Sequence, residues 1–169
     1  MVWMNSAHQL KLGVALALAL GMAGCAKNPV EGDGAGLGGV GAGVASPGST
    51  QDFVVNVGDK VFFDSDSTEL SANAQATLDK QARWLTQYNR YNFTVEGHAD
   101  ERGTREYNFA LGARRSEVTK DYLVARGVSG ARIKTISYGK ERPVAVCNDI
   151  SCWSQNRRAV TVLNGGGNS

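Results

Sequence analysis

An arginine stands where the pattern of the chain calls for an apolar side chain. Between Val95 and Arg115 the sequence reads VEGHADERGTREYNFALGARR. Phe93, Val95 and Gly97 alternate with Thr94, Glu96 and His98, the period of a strand. A polar turn follows. From Thr104 the apolar residues Tyr107, Leu111, Val118, Tyr122 and Ala125 recur at helical spacing and define the face expected to pack on a sheet. Arg115 falls on that stripe, four residues after Leu111 and three before Val118. A guanidinium rarely enters a packed face without an anionic partner, because an unpaired buried charge is costly. Asp100 leaves the strand end and Asn108 lies two helical turns before Arg115. An acid, an amide and a guanidinium therefore meet at a strand-to-helix junction, where open α/β sheets tend to bind ligands. Spacing leaves two readings open. One is an internal Asp100–Arg115 salt bridge that ties helix to loop. The other is a small zwitterion site, with Arg115 taking a carboxylate bidentately and Asp100 an ammonium.

The 169 residues suffice for one domain plus tails. A net charge of +2 with no basic run argues against nucleic acid as a partner. Metal and catalytic readings are weak as well. His98 is joined only by His8 near the N-terminus, which leaves no zinc-ligand set, and no nucleophile sits in an elbow or triad setting. The acids of Asp64-Ser-Asp66 are only a fragment of a calcium-loop pattern. His98 is expected to orient the turn by hydrogen bonding. No cofactor is expected.

Residues 1–24 read as a targeting segment: Lys11 precedes an uncharged run, Leu12 to Ala23, too short to span a membrane. The run ends in Met22-Ala23-Gly24-Cys25, which resembles a bacterial lipobox with methionine where leucine is more usual. On that reading Cys25 becomes the lipidated N-terminus, and several acyl chains give a lasting anchor. An ordinary secretory peptide with an incidental cysteine is the competing reading. Residues 25–51 carry the lipidated cysteine and a Gly-rich tether, whose composition favours a flexible coil. Its typical span is roughly 28 Å as a Gly-rich coil, and about 85 Å pulled taut. The glycines do not form a phosphate loop, since no strand precedes them and no Lys-Ser/Thr follows.

The folded part is expected over 52–164, with 165–169 a disordered tail. Phe53, Val55 and Val57 alternate, then Gly58-Asp59 turns the chain into Lys60–Phe63, which reads as a short hairpin or bent strand. Ser71 should cap a helix over Ala72 to Tyr88 whose core stripe is Ala74, Leu78, Ala82 and Leu85, with Trp84 and Tyr88 as packing residues. A second strand, Asn92 to His98, precedes the turn, where Gly103 supplies backbone freedom and Thr104 caps the second helix. That helix should end at Arg126-Gly127. A strand from Arg132 to Tyr138, a loop and a last strand complete the order. Strand, helix, strand, helix, strand, loop, strand predicts an α/β sandwich: one mixed β-sheet of about four strands with two main α-helices on one face. With Cys25 lipidated, Cys147 and Cys152 remain as a pair. A disulfide, worth roughly 2 kcal/mol for so small a ring, competes with free thiols or a metal clip. Arg157 and Arg158 could be surface charges snorkelling over apolar surface or could line a groove.

The HADERGT, YN and LGARR segments resemble the signature of OmpA-like peptidoglycan-binding domains and, within them, of peptidoglycan-associated lipoproteins. The likeness covers most of Phe53 to Leu163 and includes Phe63-Asp64, SYGKE with Pro143, and the closing Asn156-Arg157-Arg158. It implies that Asp100 and Arg115 clamp the diaminopimelate side chain of peptidoglycan, with Asn108 as supporting amide. Arg114 is the adjacent contender. The same resemblance places Phe63, Asp64, Gly103, Thr104 and Leu111 at the ligand groove. It further implies a non-catalytic outer-membrane lipoprotein, facing the periplasm and held by lipid at Cys25. Partners implied are the periplasmic propeller protein and other components of the Tol system. The resemblance does not call for a Cys147–Cys152 pair. A cell-wall hydrolase and a protein-only adaptor with a structural Asp100–Arg115 pair are the alternatives.

Overall fold

The computed structural model describes residues 45–165. The expectations for the targeting segment, Cys25, most of the tether and nearly all of the tail therefore lie outside the described residues. Four strands, β1 (Lys60–Phe62), β2 (Asn92–His98), β3 (Ile133–Gly139) and β4 (Arg158–Asn164), form one sheet in the order β1-β4-β2-β3. β4 runs antiparallel to β1 and to β2, and β2 runs parallel to β3. The sheet is thus mixed, and the parallel pair is joined by the long helix between its strands, as a parallel connection requires.

Helix α2 (Ala72–Gln87) starts at Ser71, whose hydroxyl accepts the Ala74 amide at 3.2 Å. Ala74, Leu78, Ala82 and Leu85 are buried as the spacing predicts, and Trp84 packs between Phe53, Tyr88 and Tyr91. These residues join Val61, Phe93 and Val95 in the apolar core. α3 (Arg105–Ala125) is capped by Thr104, and the chain leaves it through Arg126 and Gly127, whose φ is +93°.

The buried face of α3 differs from the expected apolar stripe. Asn108, Leu111, Gly112, Arg115, Ser116, Thr119 and Leu123 are buried, whereas Tyr107 and Ala125 are exposed. The reason is close approach. A Cβ on Gly97 of β2 would lie 1.8 Å from the Gly112 carbonyl oxygen, and one on Gly112 would lie 2.4 Å from Ser137 Oγ. Where the helix lies this near the sheet, around Gly112, a larger side chain has no room, and Val118 and Tyr122 are left only partly buried beside the core.

Two other expectations fail. Residues 50–57 form no strand: α1 (Thr50–Asp52) runs into a turn of π-helix, Phe53–Val57. Ser49 caps it, accepting the Asp52 amide at 3.0 Å, and only Phe53 is buried. The alternation of Phe53, Val55 and Val57 has no second strand to pair with. The segment expected as a loop before β4 contains a helix, α4 (Ile150–Asn156), capped by Asp149. Cys147 and Cys152 are disulfide-bonded across its start with a Cα–Cα distance of 5.7 Å, which resolves the choice for that pair.

Substituting Gly97→Ala should destabilise the domain by about 3 kcal/mol, the upper end of the usual overpacking cost, because backbone is what the new methyl meets. Gly130→Ala, where the nearest atom is a valine methyl at 3.6 Å, should stay within about 0.5 kcal/mol. Urea unfolding of both variants checks this.

Candidate functional site

The Arg115 side chain is 0% exposed. Its Nε donates to the Ser67 carbonyl at 3.0 Å, Nη1 to that of His98 at 2.9 Å, and Nη2 to that of Asp64 at 3.1 Å. Its guanidinium carbon lies 5.1 Å from the centre of the Phe63 ring. The charge is therefore received by three main-chain dipoles and an aromatic face rather than by a carboxylate. Burial, with the charge of Arg157 adding to it and Asp100 and Asp66 opposing, brings its pKa down to about 10, so it remains a cation at neutral pH. A guanidinium has five N–H donors. Three are committed here, which leaves one on each terminal nitrogen.

Asp100 is not paired with Arg115. Its carboxylate accepts the Arg102 main-chain N–H and Nε, each at 3.2 Å, Arg102 Nη2 at 2.6 Å and Arg157 Nη1 at 3.3 Å. Burial pushes this carboxyl up. Hydrogen bonds from Arg102 and Arg157 and the Arg102 charge outweigh that and hold it below the usual carboxylate range. The internal salt bridge read as one option from spacing is thus replaced by an Arg102–Asp100–Arg157 triad.

The neighbouring residues build a cleft around these two groups. Its volume is about 220 Å³, and Ser65, Asp66, Asp100, Arg102, Gly103, Tyr107, Asn108, Leu111 and Arg115 line it. Asn108 is buried and donates to the Arg102 carbonyl at 2.7 Å, which fixes the turn. Gly103 takes φ +87°, and Thr104 accepts the Tyr107 amide at 3.2 Å. Lys140 donates to the carbonyls of Glu101 and Gly103. Tyr107 donates to the Asp66 carboxylate. Phe63 and Asp64 do not line the cleft, but the Phe63 ring and the Asp64 carbonyl form the seat of Arg115. A larger groove of about 520 Å³ runs past Phe63, Asp64 and Arg157 along β1 and the start of α2, and contains neither Asp100 nor Arg115. Arg115 lines the cleft and Arg114 does not.

Residues 62–157 match the model of the OmpA family. The chain belongs to the OmpA family. It is 68% identical over 155 residues to a protein named peptidoglycan-associated lipoprotein from Rhizobium meliloti strain 1021, covering 91% of this chain and 88% of that one. A relative of the same name from Mesorhizobium japonicum is 63% identical, over 91% and 92% of the two chains. The crystal structure of the peptidoglycan-associated lipoprotein from Burkholderia pseudomallei superposes with a TM-score of 0.61 at 40% identity, covering 63% of this chain and 90% of that chain.

Some residues around this cleft are not singled out by the sequence pattern. Arg102 is one; the acid-x-arginine spacing across a tight turn was its signal, since the Asp100 carboxylate captures both the side chain and the amide of Arg102. Trp153 of α4 is another. Its ring centre lies 4.2 Å from the Arg102 guanidinium, and its indole N–H donates to Glu101. Arg157 and Arg158, read either as surface charges or as lining a groove, are both buried, and Arg157 lines the larger groove. Arg157 bonds Asp100 and the Phe63 carbonyl, and Arg158 bonds the carbonyls of Asn156 and Arg142.

His98 departs from expectation as well. Its imidazole is buried and neither ring nitrogen has a hydrogen-bond partner among the described residues, so the turn is held by its carbonyl and not by its ring. The Glu96 carboxylate, 3.7 Å from Nε2, favours protonation. Burial dominates, and the Arg158 and Arg142 charges add to it, bringing the pKa down to about 4. The folded domain therefore keeps His98 neutral at pH values where the unfolded chain binds a proton. The stability from this residue is complete above about pH 6.5 and is lost as pH falls towards 4, by up to about 3 kcal/mol. Side-chain NMR should place the His98 midpoint near pH 4, and urea unfolding at pH 7 and pH 4.5 should show the loss.

Proposed function

We propose that this domain binds peptidoglycan noncovalently through the diaminopimelate of its stem peptides, and that with lipid at Cys25 the protein ties the outer membrane to the cell wall. What carries the reading is the Arg115 guanidinium. It is cationic at neutral pH, buried against three carbonyls, and keeps one N–H on each terminal nitrogen at a cleft of about 220 Å³. That arrangement suits a carboxylate taken by both nitrogens at once when Arg102, which lines the same cleft, moves aside and opens it to a guanidinium that is shut from solvent without ligand. Relatives 68% and 63% identical that are named peptidoglycan-associated lipoprotein support the same ligand class.

The ammonium end of the ligand goes to Asp100. Four donors already occupy that carboxylate, which matches its capacity of about four lone-pair positions. The ammonium therefore displaces one of them. Arg157 is buried, whereas the Arg102 side chain is 43% exposed, so Arg102 is the arm that yields. In the unliganded domain its guanidinium stands where the ammonium would go. Phe63, Asp64, Asn108, Gly103, Thr104 and Leu111 shape and support the seat, and no step of this function forms or breaks a covalent bond. Partnership with the Tol propeller protein and other Tol components belongs to the same proposal and rests on the family resemblance. The alternative, a protein-only adaptor, rests on an Asp100–Arg115 pair; the two are bonded to other groups instead, and retention on peptidoglycan separates the readings.

Retention on purified diaminopimelate-type peptidoglycan tests the reading. Asp100→Asn should weaken it by roughly ten-fold or more while the domain stays folded, a desolvated group left unpaired costing about 1–3 kcal/mol. Lysine-type peptidoglycan, which lacks the side-chain carboxylate, should be retained weakly by the unaltered protein. Equal retention of the two polymers would overturn the assignment. Arg115→Ala discriminates poorly, since it also strips three buried carbonyls of their donor.

A further inference from the structure

The chain enters the domain through a lock unrelated to the ligand cleft. Gly48 is buried with φ +76°. Its carbonyl accepts Arg90 Nη2 at 2.6 Å and the Tyr91 hydroxyl at 2.7 Å. Its amide donates to Asp52 Oδ2 at 2.8 Å, and the same oxygen receives the Trp84 indole N–H at 2.8 Å. Arg90 also bonds the Tyr91 hydroxyl at 3.0 Å, and its guanidinium lies 4.8 Å from the centre of that ring. A Cβ at Gly48 would come within 2.5 Å of the Tyr88 ring, so only glycine fits the slot. A helix cap needs none of this, and Ser49 already caps α1.

The position of the lock gives it a purpose. Arg90 and Tyr91 immediately precede β2, whose other end leads through Ala99 to Asp100. The lock and the candidate site therefore sit at opposite ends of one strand, about 23 Å long for its seven residues. β2 lies inside the sheet, bonded to β4 on one side and β3 on the other. Force pulling the upstream chain away from a ligand held at Asp100 enters at Gly48 and crosses to Tyr91 through hydrogen bonds. From there it runs along the covalent backbone of a strand that is already extended. The helical segment Thr50–Val57 and the short edge strand β1 are bypassed.

We propose that the Gly48 lock is a junction that routes tension from the upstream chain directly into β2, so that the domain carries force between its root and its ligand without unravelling. This rests on the tethering reading above, because only a tether is pulled from these two ends. Arg90 and Tyr91 are positioning residues here and take no part in ligand contact.

Optical-tweezers pulling on the chain from Cys25 onward tests it, with the unacylated Cys25 thiol and an introduced Glu101→Cys as handles and the Cys147–Cys152 bond intact. The unaltered lock should hold until the sheet gives way. The double variant Arg90→Met/Tyr91→Phe should add an early, low-force step as Gly48 to Val57 peels off, about 30 Å for some ten residues. Handles at Asp59→Cys and Glu101→Cys lie beyond the lock and should read the same in both proteins. An unchanged Cys25 trace in the double variant, or the early step already present without it, overturns the proposal, as does equal weakening through both pairs of handles. Retention of the double variant on diaminopimelate-type peptidoglycan without load should be unaltered. Loss of retention by the unaltered protein would count against the tethering reading, while the pulling traces judge the lock alone.

Discussion

The buried guanidinium of Arg115 is the interaction on which the upper part of the domain depends. Its three committed donors reach the end of β2 at His98 and two points of the loop between β1 and α2, at Asp64 and Ser67. Segments far apart in sequence thus close around one side chain of α3. Carbonyl oxygens at a loop and a strand end need donors once water is excluded, and a planar fork supplies them at fixed angles. A lysine would bring a single rotating point of charge and could not span three acceptors in one plane. The cation that on the proposed reading meets the ligand is also the pin that shapes the cleft, so binding and local stability cannot be altered separately at this position.

That pin works only because the helix carrying it lies unusually near the sheet. Gly97 and Gly112 touch backbone to backbone, and Gly139 lets the end of β3 approach Asn108 and Phe109. The three glycines bring the start of α3 down onto β2 and β3, and the Ser137 hydroxyl donates to the Phe109 carbonyl at 2.6 Å in the space they leave. Asn108 and Arg115 are consequently buried on the inner side of α3 beside Asp100, instead of pointing past the sheet into solvent. A larger residue at any of these glycines would lift the helix and open the cleft.

Much of this was legible in the sequence. The strand-turn-helix unit around Asp100 could be read because strand alternation, a capping threonine and an arginine at a core-facing spacing are local signals, and each is visible within a few residues. The four strands and two main helices follow from such signals too. What escaped depended on long-range geometry. The inner face of α3 was misjudged because hydrophobic spacing assumes an ordinary helix-to-sheet distance, and Gly97 with Gly112 changes it. Phe53 to Val57 alternates like a strand, but Phe53 packs on Trp84, and the Asp52–Trp84 and Gly48–Tyr91 bonds just before it span 32 and 43 residues of sequence. α4 is seven residues long, and Asp149, the disulfide and Asn156 fix it; the Asn156 side chain bonds the backbone of Val144 and Ala145.

The two halves of the proposed site answer differently to an imperfect ligand. Where a guest lacks the ammonium, Arg102 is already at the Asp100 carboxylate and has no reason to leave, so the anion stays neutralised. The penalty is the lost contact alone. Where a guest lacks the carboxylate, nothing within the domain can replace it. The remaining Arg115 N–H groups are already out of water in the unliganded domain and would stay without an acceptor, since Asp100 is saturated and the three available carbonyls already hold their donors. A bidentate, charge-assisted pair that fails to form is a larger loss than one contact for which the Arg102 bond substitutes. Discrimination should therefore be steeper at the carboxylate end than at the amine end. That asymmetry follows from one partly exposed arginine beside one buried arginine, and not from the number of contacts each end makes.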